Sequence, residues 1–194
     1  IIGTSWGTTL YQVAQQLEPK NVRNVTVVQL NGGVSHSETN TFAFDIINHL
    51  GRAFNTVPYH LPLPAVVDQV LVKQAMVADR HIHRVLQLGE EANIAIFTVG
   101  EPSKESTLIK AGYFSQDELD LLFKRRVAGD ICSRYFDIYG NICHDDLNKR
   151  TIGIDLQQLR HKSHAILVAG GMNRVDGIFG ALQGRYANVL ITDQ

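Results

Sequence analysis

The chain has 194 residues, 44% of them hydrophobic and 19% charged, with a formal net charge of −1. These values fit an ordinary globular domain large enough to bury one core, and they exclude a polyanion-binding surface, which would need a basic excess. No apolar run approaches the length of a membrane-spanning helix. The two cysteines, Cys132 and Cys143, fit free thiols in a reducing compartment better than a disulfide framework. A cytoplasmic protein is expected, with no signal peptide before the fold. Because the sequence opens with isoleucine inside an apolar run, it is expected to be the core of a larger protein.

The opening Ile1-Ile2-Gly3-Thr4-Ser5-Trp6-Gly7-Thr8-Thr9 passes from apolar to small residues, and Leu10, Val13, Ala14 and Leu17 follow at helical spacing. A buried strand that ends in a glycine turn feeding a helix leaves bare N–H groups at the positive end of the helix dipole, which is an anion site. Ser5, Thr8 and Thr9 add hydroxyl donors there. Glu18-Pro19 stops the helix. Residues 25–30 read as a strand entering Asn31-Gly32-Gly33. Thr39 or Asn40 is the expected cap of a helix whose buried stripe is Ala43, Ile46, Ile47, Leu50 and Phe54. Residues 57–60 are β-like, and Leu61-Pro62-Leu63-Pro64 must be extended.

Helices are expected over 66–78 and 79–88, then a buried strand over 92–99 that stops at Gly100. Ser115 caps the helix 116–126, with Glu118 in the capping-box position. Strands are expected at 130–137 and 151–154, with the turn Tyr139-Gly140-Asn141 between them. Ala165-Ile166-Leu167-Val168-Ala169-Gly170-Gly171 then echoes the opening, and Val175, Ile178, Phe179 and Leu182 recur at the spacing of an amphipathic helix. A last strand closes the sequence. This alternation argues an α/β fold with a mostly parallel sheet and helices on both faces.

In such sheets ligands bind beyond the carboxyl ends of the strands, at a switch point. Four strands end in glycine, at Gly7, Gly32-Gly33, Gly100 and Gly170-Gly171. For Gly100 a tight turn explains the residue as well as a ligand does. Arg174 opposes the dipole of the helix it starts; it either faces solvent or folds over an anion as a bidentate partner of phosphate. His36 is a ligand contact or a surface histidine, and Asp130 a turn carboxylate or a cavity acid. No Walker A loop and no Gly-x-Gly-x-x-Gly opens a helix, so nucleotide binding by those loops is not supported. His81 and His83 are poorly spaced for a metal, and Cys143-His144 lacks partners at ligand spacing. No catalytic residue, metal ligand or cofactor is expected.

Ser5-Trp6-Gly7-Thr8-Thr9, Val28-Gln29-Leu30-Asn31-Gly32-Gly33, Gly129-Asp130-Ile131-Cys132-Ser133-Arg134-Tyr135-Phe136-Asp137 and Val168-Ala169-Gly170-Gly171 occur in that order. Gly180-Ala181-Leu182 and Asn188-Val189-Leu190-Ile191-Thr192-Asp193 follow them. Together they resemble the sugar-binding (effector) domain of SorC/DeoR-type bacterial transcriptional regulators, most closely the deoxyribonucleoside-regulator branch. The resemblance covers essentially the whole sequence. It implies a Rossmann-like three-layer sandwich related to sugar-phosphate isomerases and deaminases, with residues 1–194 serving effector binding and oligomerisation. It further implies a phosphorylated sugar as effector, a homodimer or homotetramer, and operator DNA held by an N-terminal helix-turn-helix domain outside this sequence.

By position, the resemblance makes Ser5, Trp6, Gly7, Thr8 and Thr9 the phosphate loop and Asn31, Gly32 and Gly33 a second wall. Gly170, Gly171 and Arg174 close the pocket, and His36 and Asp130 complete the candidates. The family often carries lysine where Arg174 stands. Deoxyribonucleoside-type relatives carry lysine at the place of Asn31, and a lysine amine forms an imine with an open-chain aldehyde sugar. Asparagine cannot, so either the effector binds without a covalent bond or it is a sugar phosphate other than deoxyribose 5-phosphate. The competing reading, an active sugar-phosphate isomerase or deaminase, needs an acid/base pair beside the sugar's first two carbons.

Overall fold

A computed structural model describes residues 1–34, 41–103 and 106–193. Strand β1 (Ile2–Thr4) leads through α1 (Thr8–Gln15) to β2 (Val27–Gln29) and α2 (Ala43–Ala53). Helices α3 (Val70–Ala78) and α4 (Arg80–Glu91) precede β3 (Ile94–Phe97). Next come α5 (Thr107–Lys110), α6 (Gln116–Lys124), and the short strands β4 (Gly129–Ile131) and β5 (Arg134–Phe136). The chain continues through α7 (Asp145–Arg150), α8 (Leu156–Leu159) and β6 (His164–Val168). A 3-10 turn (Met172–Arg174), α9 (Val175–Gln183) and β7 (Val189–Ile191) complete it.

Five strands form one parallel sheet in the order β2-β1-β3-β6-β7. Strand side chains alternate between faces, and here both faces are covered. Ile94, Ile96, Ile166 and Val168 pack with Ile2 and Val27 against Leu10 and Ala14 of α1 and Ile46, Ile47 and Leu50 of α2. Ala95, Phe97, Ala165 and Leu167 face the other way, onto Phe136, Leu156, Leu159, Ala181 and Tyr186. Two buried faces explain why β3 and β6 read as continuous apolar runs. The three-layer α/β sandwich expected from the sequence is the one observed. The chain leaves β1 toward β2 on one side and returns to β3 on the other, so the switch point lies between β1 and β3.

Several local expectations are corrected. The stretch 130–137 is a hairpin, not one strand. Cys132 and Ser133 both adopt positive φ, 52° and 67°, the left-handed pair of a two-residue turn, and β5 folds back antiparallel on β4. Residues 151–154 form isolated bridges, Thr151 to Val66 and Gly153 to Asn31, in place of a strand. Val66 is committed to that bridge, so the helix expected from 66 starts at Val70. The caps expected at Thr39 or Asn40 lie outside the described residues. The capping box of Ser115 and Glu118 forms as read.

Helix α9 shows the clearest reversal of burial. Val175, Phe179 and Leu182 are 48%, 48% and 40% exposed, whereas Gly177, Gly180 and Ala181 are buried. The glycine face is the one that docks: a Cβ on Gly177 would stand 2.8 Å from Val99 Cγ2, and one on Gly180 2.6 Å from the carbonyl oxygen of Asp137. Of the four apolar positions, Ile178 alone packs against the core.

Candidate functional site

A cavity of about 220 Å³ lies beyond the carboxyl ends of β1 and β3, at the switch point. Ser5, Trp6, Gly7, Thr8 and Thr9 line it together, because β1 ends at Thr4 and the loop turns at once into α1. Gly7, at φ 137°, makes that turn. No side chain caps the amino end of α1 and no acid lies in its first turn, so its dipole is left for a ligand.

Arg174 faces this loop across the cavity. The 3-10 turn after β6 brings its guanidinium over α1, where Nη1 donates to Thr9 Oγ1 at 3.0 Å. Its Nε is buried and has no protein acceptor. A buried guanidinium N–H without a partner is costly, and an anion beside Thr9 would satisfy it. The sequence left Arg174 open between solvent and cavity; it lines the cavity.

The far wall is the hairpin. Asp130 projects inward from β4, and its Oδ2 accepts the Ser133 N–H at 3.2 Å. Protein encloses the carboxylate, yet the cavity keeps it partly reachable by solvent. Desolvation pushes its pKa from 3.8 to about 6, while the Ser133 amide and the Arg174 charge pull it down. Gly100 is explained by the same carboxylate: a Cβ there would collide with Asp130 Oδ1. The residue serves close approach, a third explanation beside the turn and the ligand. Cys132 also lines the cavity, but burial pushes its thiol up to about 12, which makes it a poor nucleophile.

Asn31 completes the wall. It is 1% exposed, its Nδ2 lies 3.4 Å from Ser133 Oγ, and its Oδ1 has no protein donor. Arg134 holds this region in place from behind. Only 2% exposed, it donates to the carbonyls of Asn148, Gly153 and Ile154 and pairs with Asp155 at 2.9 Å. Gly153 in turn bridges to Asn31. One buried guanidinium therefore ties the hairpin to the segment that backs the β2 loop.

The other candidates stand elsewhere. Gly32 lies behind Trp6, whose Nε1 donates to its carbonyl at 2.8 Å, and Gly33 bridges to Pro64; neither belongs to the cavity wall. The Gly170-Gly171 doublet is already satisfied within the chain: the Gly171 N–H donates to Asp193 Oδ1 at 3.1 Å, and the same carboxylate crowds Gly170. The anion site expected there is filled by the chain's own acid, so Gly170 and Gly171 position Arg174 without lining the cavity. His36 lies outside the described residues. Thr98, Glu101, Ser106 and Tyr135 line the cavity and were not singled out from the sequence. The rule that ligands sit past every strand end at a switch point would have flagged Thr98 and Glu101, which flank Gly100.

No group of three or more His, Cys, Asp or Glu side chains among the described residues could hold a metal ion, and no described helix is long and apolar enough to cross a membrane.

A parallel α/β sheet with a small polar cavity at its switch point defines a small-molecule-binding domain. The chain belongs to the family described as "Putative sugar-binding domain", whose sequence model matches residues 1–194. It is 54% identical over 194 residues to the deoxyribonucleoside regulator of Bacillus subtilis, covering all of this chain and 62% of the relative. It is 29% identical over 196 residues to the sorbitol operon regulator of Klebsiella pneumoniae, again with 100% and 62% coverage. The crystal structure of that full-length regulator, SorC, superposes with a TM-score of 0.87 at 27% identity, covering 100% of this chain and 62% of the other. A transcriptional regulator of Streptococcus pneumoniae superposes at 0.91 with 28% identity, over 100% and 74%. The chain thus spans about three-fifths of the length of the curated relatives it matches. Those relatives are transcriptional regulators.

Proposed function

We propose that this chain is the effector-sensing part of a DNA-binding transcriptional regulator, and that its cavity binds a phosphorylated sugar without a covalent bond or a cofactor. One observation carries the ligand reading: the unpartnered Nε of Arg174 beside Thr9, over the uncapped amino end of α1. Backbone N–H groups, hydroxyls and a guanidinium fork converge there as a phosphate requires. Non-covalent binding is supported by Asn31 and by a cavity wall that, among the described residues, contains no lysine.

In this reading operator DNA is held by a part of the polypeptide outside these residues, and the net charge of −1 fits that division. The protein acts in the cytoplasm as a homodimer or homotetramer. Apolar side chains left in solvent on α9 and β7, Phe179 and Ile191 among them, support an association surface. The chain senses and does not catalyse, as its regulator relatives lead one to expect.

Thermal-shift and calorimetric titration with aldose and ketose phosphates tests the reading. Ligand at a hundred times its dissociation constant should stabilise the fold by about 2.7 kcal/mol. Equal, negligible shifts for phosphorylated and free sugars would refute it, and product formed during incubation would favour an isomerase or deaminase.

A further inference from the structure

We propose that the cavity selects ligands with one anionic group on an otherwise uncharged, hydroxyl-rich body, and that Asp130 and Glu101 reject a second anionic group. The inference rests on the phosphate reading of the Arg174 end and concerns what the rest of the cavity accepts.

The cavity wall carries one cation and two carboxylates. At the α1 end stand Arg174 and the hydroxyls of Thr8 and Thr9. Two carboxylates share the wall with Arg174: Asp130 on the hairpin, within reach of the Arg174 charge, and Glu101 after β3, whose Oε2 accepts from Asn173 Nδ2 at 2.5 Å. That bond joins the loop after β3 to the 3-10 turn that carries Arg174, so Glu101 is held in place. Asn31 also lines the cavity, and its Oδ1 is buried without a protein donor. Ionised carboxylates and an amide oxygen only accept hydrogen bonds. Sugar hydroxyls can donate to all three.

A second phosphate or a carboxylate on the ligand brings no proton to donate and meets a fixed charge of its own sign, inside a cavity that limits screening. A bare phosphate end therefore fits beside Arg174, and a neutral polyol fits against Asp130, Glu101 and Asn31. Discrimination by a built-in repulsive element also sharpens specificity without any added attraction. The cavity size of about 220 Å³ sets the scale at a single small sugar phosphate.

The test is calorimetry at pH 8, above the Asp130 pKa of about 6. The panel comprises ribose 5-phosphate, deoxyribose 5-phosphate, xylulose 5-phosphate, glucose 6-phosphate and fructose 6-phosphate. Against these stand ribulose 1,5-bisphosphate, fructose 1,6-bisphosphate and 6-phosphogluconate. The tightest singly phosphorylated neutral sugar should bind about a hundredfold or more tighter than any doubly anionic compound. Asp130→Asn should narrow that gap about tenfold or more, and Glu101→Gln should narrow it in the same direction. Doubly anionic compounds binding wild type as well as the monophosphates would overturn the proposal alone, as would an unchanged gap in both variants. If no phosphorylated compound binds better than its free sugar, the phosphate reading itself fails and takes this proposal with it.

Discussion

Replacing Arg174 by alanine tests the proposed phosphate end of the cavity. Its guanidinium has one protein partner there, Thr9 Oγ1 at 3.0 Å, and a buried Nε with none. A charge-assisted hydrogen bond contributes about 1.5–3 kcal/mol, so losing the Nε bond to phosphate should weaken binding roughly ten- to a hundredfold. Folding should survive, because a cation at the start of α9 opposes that helix's dipole and the side chain anchors no core residue. Arg174→Lys keeps the charge and loses the planar fork, so it should fall between wild type and alanine. Calorimetry with the tightest sugar phosphate, paired with its unphosphorylated sugar, reads both effects: the free sugar should bind poorly and respond to neither substitution. A full-affinity Arg174→Ala variant would dismantle the phosphate assignment.

Four further outcomes are expected. Thr8→Val should also cost about tenfold or more in phosphosugar affinity, without a drop in melting temperature, and calorimetry with a thermal melt checks it. Wild type should give no borohydride-stable adduct with deoxyribose 5-phosphate, whereas Asn31→Lys should trap it as a reducible imine; mass spectrometry of the intact chain distinguishes them. Arg134→Met should destabilise by about 1–3 kcal/mol for each carbonyl of Asn148, Gly153 and Ile154 that it leaves buried without a donor, visible as a lower denaturation midpoint. Asp130 has a folded-state pKa of about 6, above its ordinary 3.8, so ionising it opposes folding: the penalty is absent below pH 4, grows from there and is complete above about pH 6. Asp130→Asn should therefore stabilise the unliganded protein at pH 8 by up to about 3 kcal/mol, less where cavity water solvates the carboxylate, and leave stability unchanged at pH 4 in urea titrations.

What the sequence disclosed depended on how local each signal was. The strand–glycine–helix opening needs only consecutive residues, and Ser5 through Thr9 were legible as one wall of a site. The Ser115–Glu118 box was equally local. The Gly170-Gly171 doublet carried the same local signal and was misread, because the group that satisfies Gly171 is Asp193, and no local pattern joins the two. Helix α9 misled through periodicity: apolar spacing marked the Phe179 side as the packed face, while contact with the hairpin required the glycine side. The charge balance of the cavity was out of reach, since Glu101, Asp130 and Arg174 meet only through the crossing order of the sheet.

That crossing order also fixes when the protein can first do its work. Residues from Ser5 to Arg174 close a single cavity, so a nascent chain that has emerged only through the hairpin holds the acids of the site without its cation. On the proposed reading, a sugar phosphate lacks its guanidinium partner until β6 has paired with β3 and the turn behind it is made. A proteolytic fragment ending before residue 174 lacks the guanidinium of the proposed phosphate site. Full affinity would then require the finished domain, which would make ligand protection a readout of complete, correctly threaded molecules in a heterogeneous preparation.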